Sequence, residues 1–175
     1  MNKFIHSKMR FFGVLALLLL SANANGQSQE KNYATLILNF SRGMVWPANA
    51  GREKFVIGIM EYPPLVAELQ TACQTMKIGN RKIEVKELTS VDGAGDCQIL
   101  FIPAYKAKTL ITVLDRLGSN PTLIVTNKFD LARKGSGVNF VLVDGRLQYE
   151  INARSIEARG LKISASIKAM GIEVN

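Results

Sequence analysis

Residues 138–152 read VNFVLVDGRLQYEIN, and this stretch restricts the fold more than any other. Asp144–Gly145 sits between two runs in which apolar and polar residues alternate. Asp-Gly is favoured where both central residues of a two-residue hairpin loop need positive φ. Such a loop sets the register: Val143 faces Arg146, Leu142 faces Leu147, Phe140 faces Tyr149 and Val138 faces Ile151. Val138, Phe140, Leu142, Leu147, Tyr149 and Ile151 then share an apolar face. Asn139, Val141, Val143, Arg146, Gln148, Glu150 and Asn152 share the other. A slip of one residue would invert both faces, so burying one of them locks the pairing.

The chain before the hairpin alternates strands with helices. KFVIGIM (54–60), RKIEVKEL (81–88), CQILFIP (97–103) and TLIVTN (122–127) read as strands. The third is almost wholly apolar, as a central strand covered on both faces must be. Tyr33, Leu36, Ile37, Phe40 and Met44 fall at helical spacing, and this helix should stop before Val45-Trp46-Pro47, since the residue before proline avoids the helical region. Pro63 and Pro64 suit the first turn of a second helix, with Leu65, Leu69, Ala72, Cys73 and Met76 along one side. Leu110, Ile111, Leu114 and Leu117 stripe a third. The alternation predicts an α/β fold: a mainly parallel sheet flanked by helices on both faces, with a C-terminal antiparallel β-hairpin. After the hairpin, Asn152 is placed to cap a helix from Ala153, Gly160 to end it in the left-handed conformation, and Ser164 to cap the last helix. In that last helix Ile167 and Met170 are the apolar pair, Glu150 is expected to pair with an arginine or lysine, and GAGD (93–96) reads as a loop.

The first residues carry a different signal. Lys3, Lys8 and Arg10 precede FFGVLALLLL (11–20), and ANA (22–24) follows. A basic start, an apolar run too short to span a bilayer and a small-x-small site make a secretory leader, cut after Ala24. The division expected is a leader at 1–24 and a single domain at 25–175, exported to the periplasm and not membrane-spanning after cleavage. Removing the three basic residues of the leader lowers the formal charge from +8 to +5. The rest are scattered, densest at Arg81–Lys82 and Arg133–Lys134, which argues against nucleic acid as a partner. Cys73 and Cys97 are the only cysteines, and in an oxidising compartment an even count favours a disulfide over two separate buried thiols. Such a bridge would tie a helix end to a strand start.

Chemistry is restricted by what is missing. The single histidine, His6, lies in the leader. The remainder therefore lacks a Ser–His–Asp or Cys–His system and a histidine for zinc. No GxxxxGK phosphate loop occurs, and neither metal nor cofactor is implied. Asp92 with Asp96 offers a carboxylate-only hydrolase, but both sit in the glycine loop and read first as turn formers. Tyr62, Tyr105, Asn127 and Lys128 fall at the carboxyl ends of the parallel strands, where a small ligand would bind. The polar residues Arg146, Gln148, Glu150 and Asn152, with Arg154 and Arg159 after them, are the candidate contacts for a protein partner.

The chain resembles the YfiR family of exported proteins over nearly all of its length after the leader. The likeness rests on YATLILNFSRGMVWP, on FVIGIM followed by a proline-led helix, on CQILFIP, and above all on GVNFVLVDGRLQYEINARSIEARGLKIS. It implies a small periplasmic α/β domain, often a homodimer, without enzymatic activity. Such proteins bind the periplasmic part of an inner-membrane receptor, a diguanylate cyclase or a sensor histidine kinase. Holding a cyclase down lowers cyclic di-GMP and with it biofilm matrix. Family members can carry a further cysteine pair in the hairpin region; positions 138–152 hold none. The resemblance brings no catalytic residues.

Overall fold

A computed structural model of the chain describes residues 24–47 and 53–175, with side chains in the first helix described from Gln29 onward. Except for Ala24, the expected leader lies outside the described residues. The chain opens with α1 (Ala24–Gly43) and a two-residue strand β1 (Met44–Val45). It continues through β2 (Lys54–Met60), α2 (Pro63–Cys73), β3 (Lys77–Ile78), β4 (Arg81–Leu88) and β5 (Ile99–Ile102). Then come α3 (Leu110–Leu117), β6 (Leu123–Thr126), β7 (Val138–Val143), β8 (Arg146–Ile151), α4 (Ala153–Glu157), β9 (Lys162–Ile163), α5 (Ala165–Met170) and β10 (Ile172–Glu173). Short 3₁₀ helices, 91–96 and 104–109, flank β5. The first contains Gly93–Asp96, so the segment expected as a loop is helical. Ser90 caps it, its hydroxyl accepting from the Asp92 N–H.

Eight strands form one sheet in the order β10-β8-β7-β6-β5-β2-β4-β3, and β1 pairs separately with β9. The sheet is mixed, not mainly parallel. β7 and β8 run antiparallel, as do β3 and β4, while the pairings from β4 through β7 are parallel, as is β10 on β8. The return strand β3 and the added β10 are two residues each, too short to carry a pattern that the sequence would reveal.

The hairpin has the register read from Asp144–Gly145: Val138 opposite Ile151, Phe140 opposite Tyr149, Leu142 opposite Leu147 and Val143 opposite Arg146. Both loop residues have positive φ, 51° at Asp144 and 73° at Gly145. The hairpin does not end the sheet, because β10 pairs along the outer side of β8.

Each face of the sheet buries its own core. On one face α1 and α2 pack Ile37, Phe40, Leu65, Leu69 and Cys73 on Phe55, Ile57, Ile59, Ile99 and Phe101. On the other, Leu110, Val113 and Leu117 of α3 meet Leu100, Ile102 and Ile124. Alternation along β5 thus feeds both layers, Ile99 and Phe101 to one and Leu100 and Ile102 to the other. Trp46 is core: its indole stands edge-on to Phe55 with centroids 5.0 Å apart, and its N–H donates to the Gln98 carbonyl at 3.3 Å.

The expected Cys73–Cys97 bridge is not formed. Both are buried thiols, and the sheet stands between them. Cys73 belongs to the α1–α2 layer. The Cys97 Sγ lies over Gly58 on the opposite face, beside Leu88 and Leu100, where a Cβ on Gly58 would come within 2.5 Å of it. Burial raises the Cys73 thiol's pKa, with a smaller opposing pull from Arg42. That favours an inert thiol over a reactive thiolate.

Candidate functional site

The strand order makes β2 a switch point. From β2 the chain goes to β4 on one side, then to β5, β6 and β7 on the other. Crevices form outside the carboxyl ends of strands where the order reverses. The residues that gather there come from the ends of β2, β5 and β6. Glu61 and Tyr62 follow β2, Tyr105 and Lys106 follow β5, and Asn127 follows β6. Glu61 has a φ of +41°, a strained position for a non-glycine residue. It is held from two directions: its carbonyl accepts from the Tyr105 hydroxyl, and its carboxylate meets Lys106 Nζ at 2.6 Å.

The first turns of α1 close this rim. The Tyr62 hydroxyl donates to the buried Glu30 carboxylate, and Asn127 Nδ2 donates to the Tyr33 hydroxyl at 3.3 Å. Burial first, and the Glu30 carboxylate second, push the Tyr62 phenol well above its ordinary range. Burial also raises Tyr105. Three of the residues expected at a ligand site, Tyr62, Tyr105 and Asn127, are thus at one rim. Tyr62 is committed to packing on Phe101 and bonding Glu30. Lys128 is exposed and contributes its backbone N–H to Asn139.

Next to this rim, at the turn end of the hairpin, lies an open cavity of about 480 Å³ between Tyr33, Asn127, Phe129, Phe140, Leu142 and Leu147. Its floor is the stack of Tyr33 on Phe140, centroids 4.7 Å apart. Its edge is exposed apolar surface, with Leu142 69% and Phe129 83% accessible. The apolar face of the hairpin is therefore covered only from Phe140 and Tyr149 downward, and Leu142 projects past the end of the core.

The face read as polar divides into three environments. Arg146 is exposed and Gln148 half-exposed. In the middle, Asn139 is 0% exposed. Its Oδ1 accepts from Thr126 Oγ1 at 2.7 Å and from the Lys128 N–H at 3.1 Å, and its Nδ2 donates to Glu150 Oε2 at 2.8 Å. Glu150 thus pairs with an amide and not with the expected arginine or lysine. At the open end, Asn152 is buried and does two jobs. Its Oδ1 caps α4 by accepting from the Ser155 N–H at 2.9 Å, and its Nδ2 donates to the Ala132 carbonyl at 2.8 Å. Gly160 has φ 69°, and Ser164 caps α5 through the Ile167 N–H. Of the apolar pair read in that helix, Ile167 is buried and Met170 is exposed.

Arg154 is exposed, but Arg159 is 8% exposed. Together with Asn152 they line a second cavity, of about 560 Å³, whose other wall is Arg133 and Lys134. Of the six candidate contacts, the structure brings Asn152, Arg154 and Arg159 together, leaves Arg146 and Gln148 on open strand surface, and ties Glu150 to Asn139. Sequence reasoning missed Phe129, Leu142, Arg133 and Lys134. The dense pair Arg133–Lys134 just before Gly135-Ser136-Gly137 was the visible signal for the last two. The two aspartates Asp92 and Asp96 share the 3₁₀ helix after β4, where Asp92 pairs with Arg116 at 2.8 Å. Among the described residues no cluster of three His, Cys, Asp or Glu is placed to hold a metal, and no helix is long and apolar enough to cross a membrane.

The sequence model of a family described as YfiR/HmsC-like covers residues 30–170, from the first turns of α1 to the end of α5. No curated protein matches the chain.

Proposed function

We propose, from the premise that this chain belongs to the YfiR/HmsC-like family, that it is a periplasmic regulatory binding protein. It represses an inner-membrane signalling receptor, a diguanylate cyclase in the first instance and a sensor histidine kinase in the second. Residues 1–24 act as a cleaved export leader and 25–175 as the working domain. It acts by holding on to another molecule, not by turnover.

One observation supports this most directly: exposed Leu142 and Phe129 at the edge of an open cleft. Clustered apolar side chains left in water at the lip of a groove mark a surface that another molecule covers. Arg146 follows directly after the loop, and Gln148 lies further along the same strand. They supply the polar contact that sets orientation. Repression then needs only differential affinity. Binding one conformation of the receptor's outer domain more tightly than the other shifts the population on the far side of the membrane.

The test is genetic and structural together. Deleting the gene raises cyclic di-GMP and surface adhesion. Leu142→Arg or Arg146→Glu, in a protein that still folds, reproduces the deletion. A cross-linker placed at position 142 captures an inner-membrane receptor. Unchanged cyclic di-GMP and no membrane protein captured would remove this reading. A second reading, a small-ligand module, draws on the open cavity beside the switch-point rim. A metabolite that raises the melting temperature, and loses that effect in Asn127→Ala, would favour it.

A further inference from the structure

Arg159 has an unusual position for a cation. Its side chain is more than nine-tenths buried. One Nη1 hydrogen goes to the Ser155 carbonyl at 2.9 Å, while its Nε is buried without a hydrogen-bond partner. No carboxylate lies within ion-pair distance of Arg159 among the described residues. A buried guanidinium without a counter-charge is strongly unfavourable, and a buried donor without an acceptor adds to that. Desolvation accordingly lowers the pKa of this group from the usual arginine value. Ordinary folding removes such a charge or pairs it. Here it is retained, at the wall of a cavity of about 560 Å³.

The rest of the cavity is cationic too. Arg133 and Arg154 are exposed at its mouth, with no carboxylate paired to either among the described residues. Lys134 reaches Asp130 at 3.2 Å. Asn152 and Ser155 line the wall, and Asn175 borders it. Asn152 holds both sides of the cavity in place, capping α4 on one and bonding the Ala132 carbonyl on the other. Three exposed cations around a buried fourth concentrate anions at the mouth and reward the one that reaches the floor. A carboxylate brings one charge to that set. A phosphoryl group brings close to two, and several acceptor oxygens for the guanidinium fork.

We propose that this cavity, between α4 and the loop before β7, is a binding site for a small phosphoryl-bearing molecule. Arg159 is its buried anchor, and Arg133, Lys134 and Arg154 form its cationic mouth. The site stands apart from the receptor surface: it lies at the open end of the hairpin, and Leu142 at the turn end. Its test does not depend on any receptor.

The purified exported chain is titrated by calorimetry and by thermal melting with two soluble phosphoryl probes, inorganic phosphate and glycerol 3-phosphate, and two controls, acetate and vesicles of phosphatidylglycerol. The expected result is saturable binding of the soluble phosphoryl compounds with a raised melting temperature. Arg154→Glu, at an exposed position, should weaken that binding roughly tenfold or more while the ligand-free melting temperature holds. Arg159→Lys, which keeps the charge and loses the fork, should weaken it comparably. No saturable binding of either soluble probe overturns the proposal. So does binding to vesicles alone, equal binding of acetate, or binding that Arg154→Glu and Arg159→Lys both leave unchanged.

Discussion

The two ends of the hairpin are made from the same two strands, yet they are finished by different physics. At the open end nearly every polar group is used. The Asn152 N–H donates to the Gly137 carbonyl, its side chain ties α4 to the Ala132 carbonyl, and one strand in from it Asn139 joins Thr126, Lys128 and Glu150. At the turn end Asp144 and Gly145 are exposed, and Leu142 stands mostly in water. Amide networks at the open end fix geometry at the expense of tolerance, because a half-satisfied buried network is worse than none. Exposed apolar surface at the turn end contributes little to folding. The comparison sets a satisfied amide network at one end against exposed apolar surface at the other.

The largest test of that division is Asn139→Ala. It leaves the Lys128 N–H without its acceptor and the Glu150 carboxylate without its donor, and turns the Thr126 hydroxyl back on Ser136 Oγ at 3.0 Å and the Val138 carbonyl at 3.4 Å. Each orphaned group costs about 1–3 kcal/mol when it stays buried. A loss of roughly 3 kcal/mol is expected, read as a lower urea midpoint at an unchanged slope. A loss below about 1 kcal/mol would mean that water enters the network and that the open end is not the rigid one.

Asn152→Ala should cost somewhat less, roughly 2 kcal/mol. It combines a lost helix cap, typically about 1 kcal/mol, with the loss of the Asn152 bond to the Ala132 carbonyl, which keeps the Gly135 N–H at 3.1 Å. Asn152→Asp separates the two: it keeps the acceptor for Ser155 and loses the donor to Ala132. Recovery of about half the loss is the expected result, and an aspartate variant as unstable as the alanine one would show that the cap is not what matters.

What was legible in the sequence follows the same division. Asp144–Gly145, Asn152, Gly160 and Ser164 were readable because each acts on backbone groups within a few residues of itself, and local geometry leaves few alternatives. The burial of Asn139 was not readable, since its partners Thr126 and Lys128 sit on another strand and its loop. Nor was the isolation of Cys73 from Cys97: Cys73 was placed on the right helix, while Cys97 ends the 3₁₀ helix ahead of the strand Ile99–Ile102 it was expected to start, and the layer into which each thiol points depends on how α2 settles against β2. The mixed sheet escaped because β3 and β10 have two residues each. Arg159 was read as part of an open contact surface because helical spacing says nothing about a loop 25 residues earlier in the chain folding back over it.

A smaller effect separates Tyr62 from Tyr149 at alkaline pH. The Tyr62 phenol has its pKa raised by burial and by Glu30, the Tyr149 phenol by burial alone. An acid raised in the folded state contributes stability that is fully present below its unfolded value, about 10 for tyrosine. That stability is lost as pH rises through the folded value. Stability should therefore fall as pH climbs past about 10, and Tyr62→Phe should flatten that fall more than Tyr149→Phe. Urea midpoints from about pH 8 to about pH 11 measure it. Equal slopes in the two variants would mean that Glu30 adds nothing to burial.

The smallest expected change in stability is the most informative about recognition. Leu142 is 69% exposed, and its neighbour across the strands, Leu147, is only half-buried. Leu142→Ser should thus alter stability by no more than about 0.5 kcal/mol in either direction. An apolar side chain kept in water without stabilising the fold has its use elsewhere, so the same variant should lose repression of the receptor. The opposite pattern, a loss above about 1 kcal/mol with repression intact, would mean that Leu142 belongs to the core and that the turn end is structural like the open one. Phe129→Ser supplies the control from a different loop. If the edge of the cleft works as one surface, it should fail in the same assay as Leu142→Ser and melt at the same temperature as the unaltered chain.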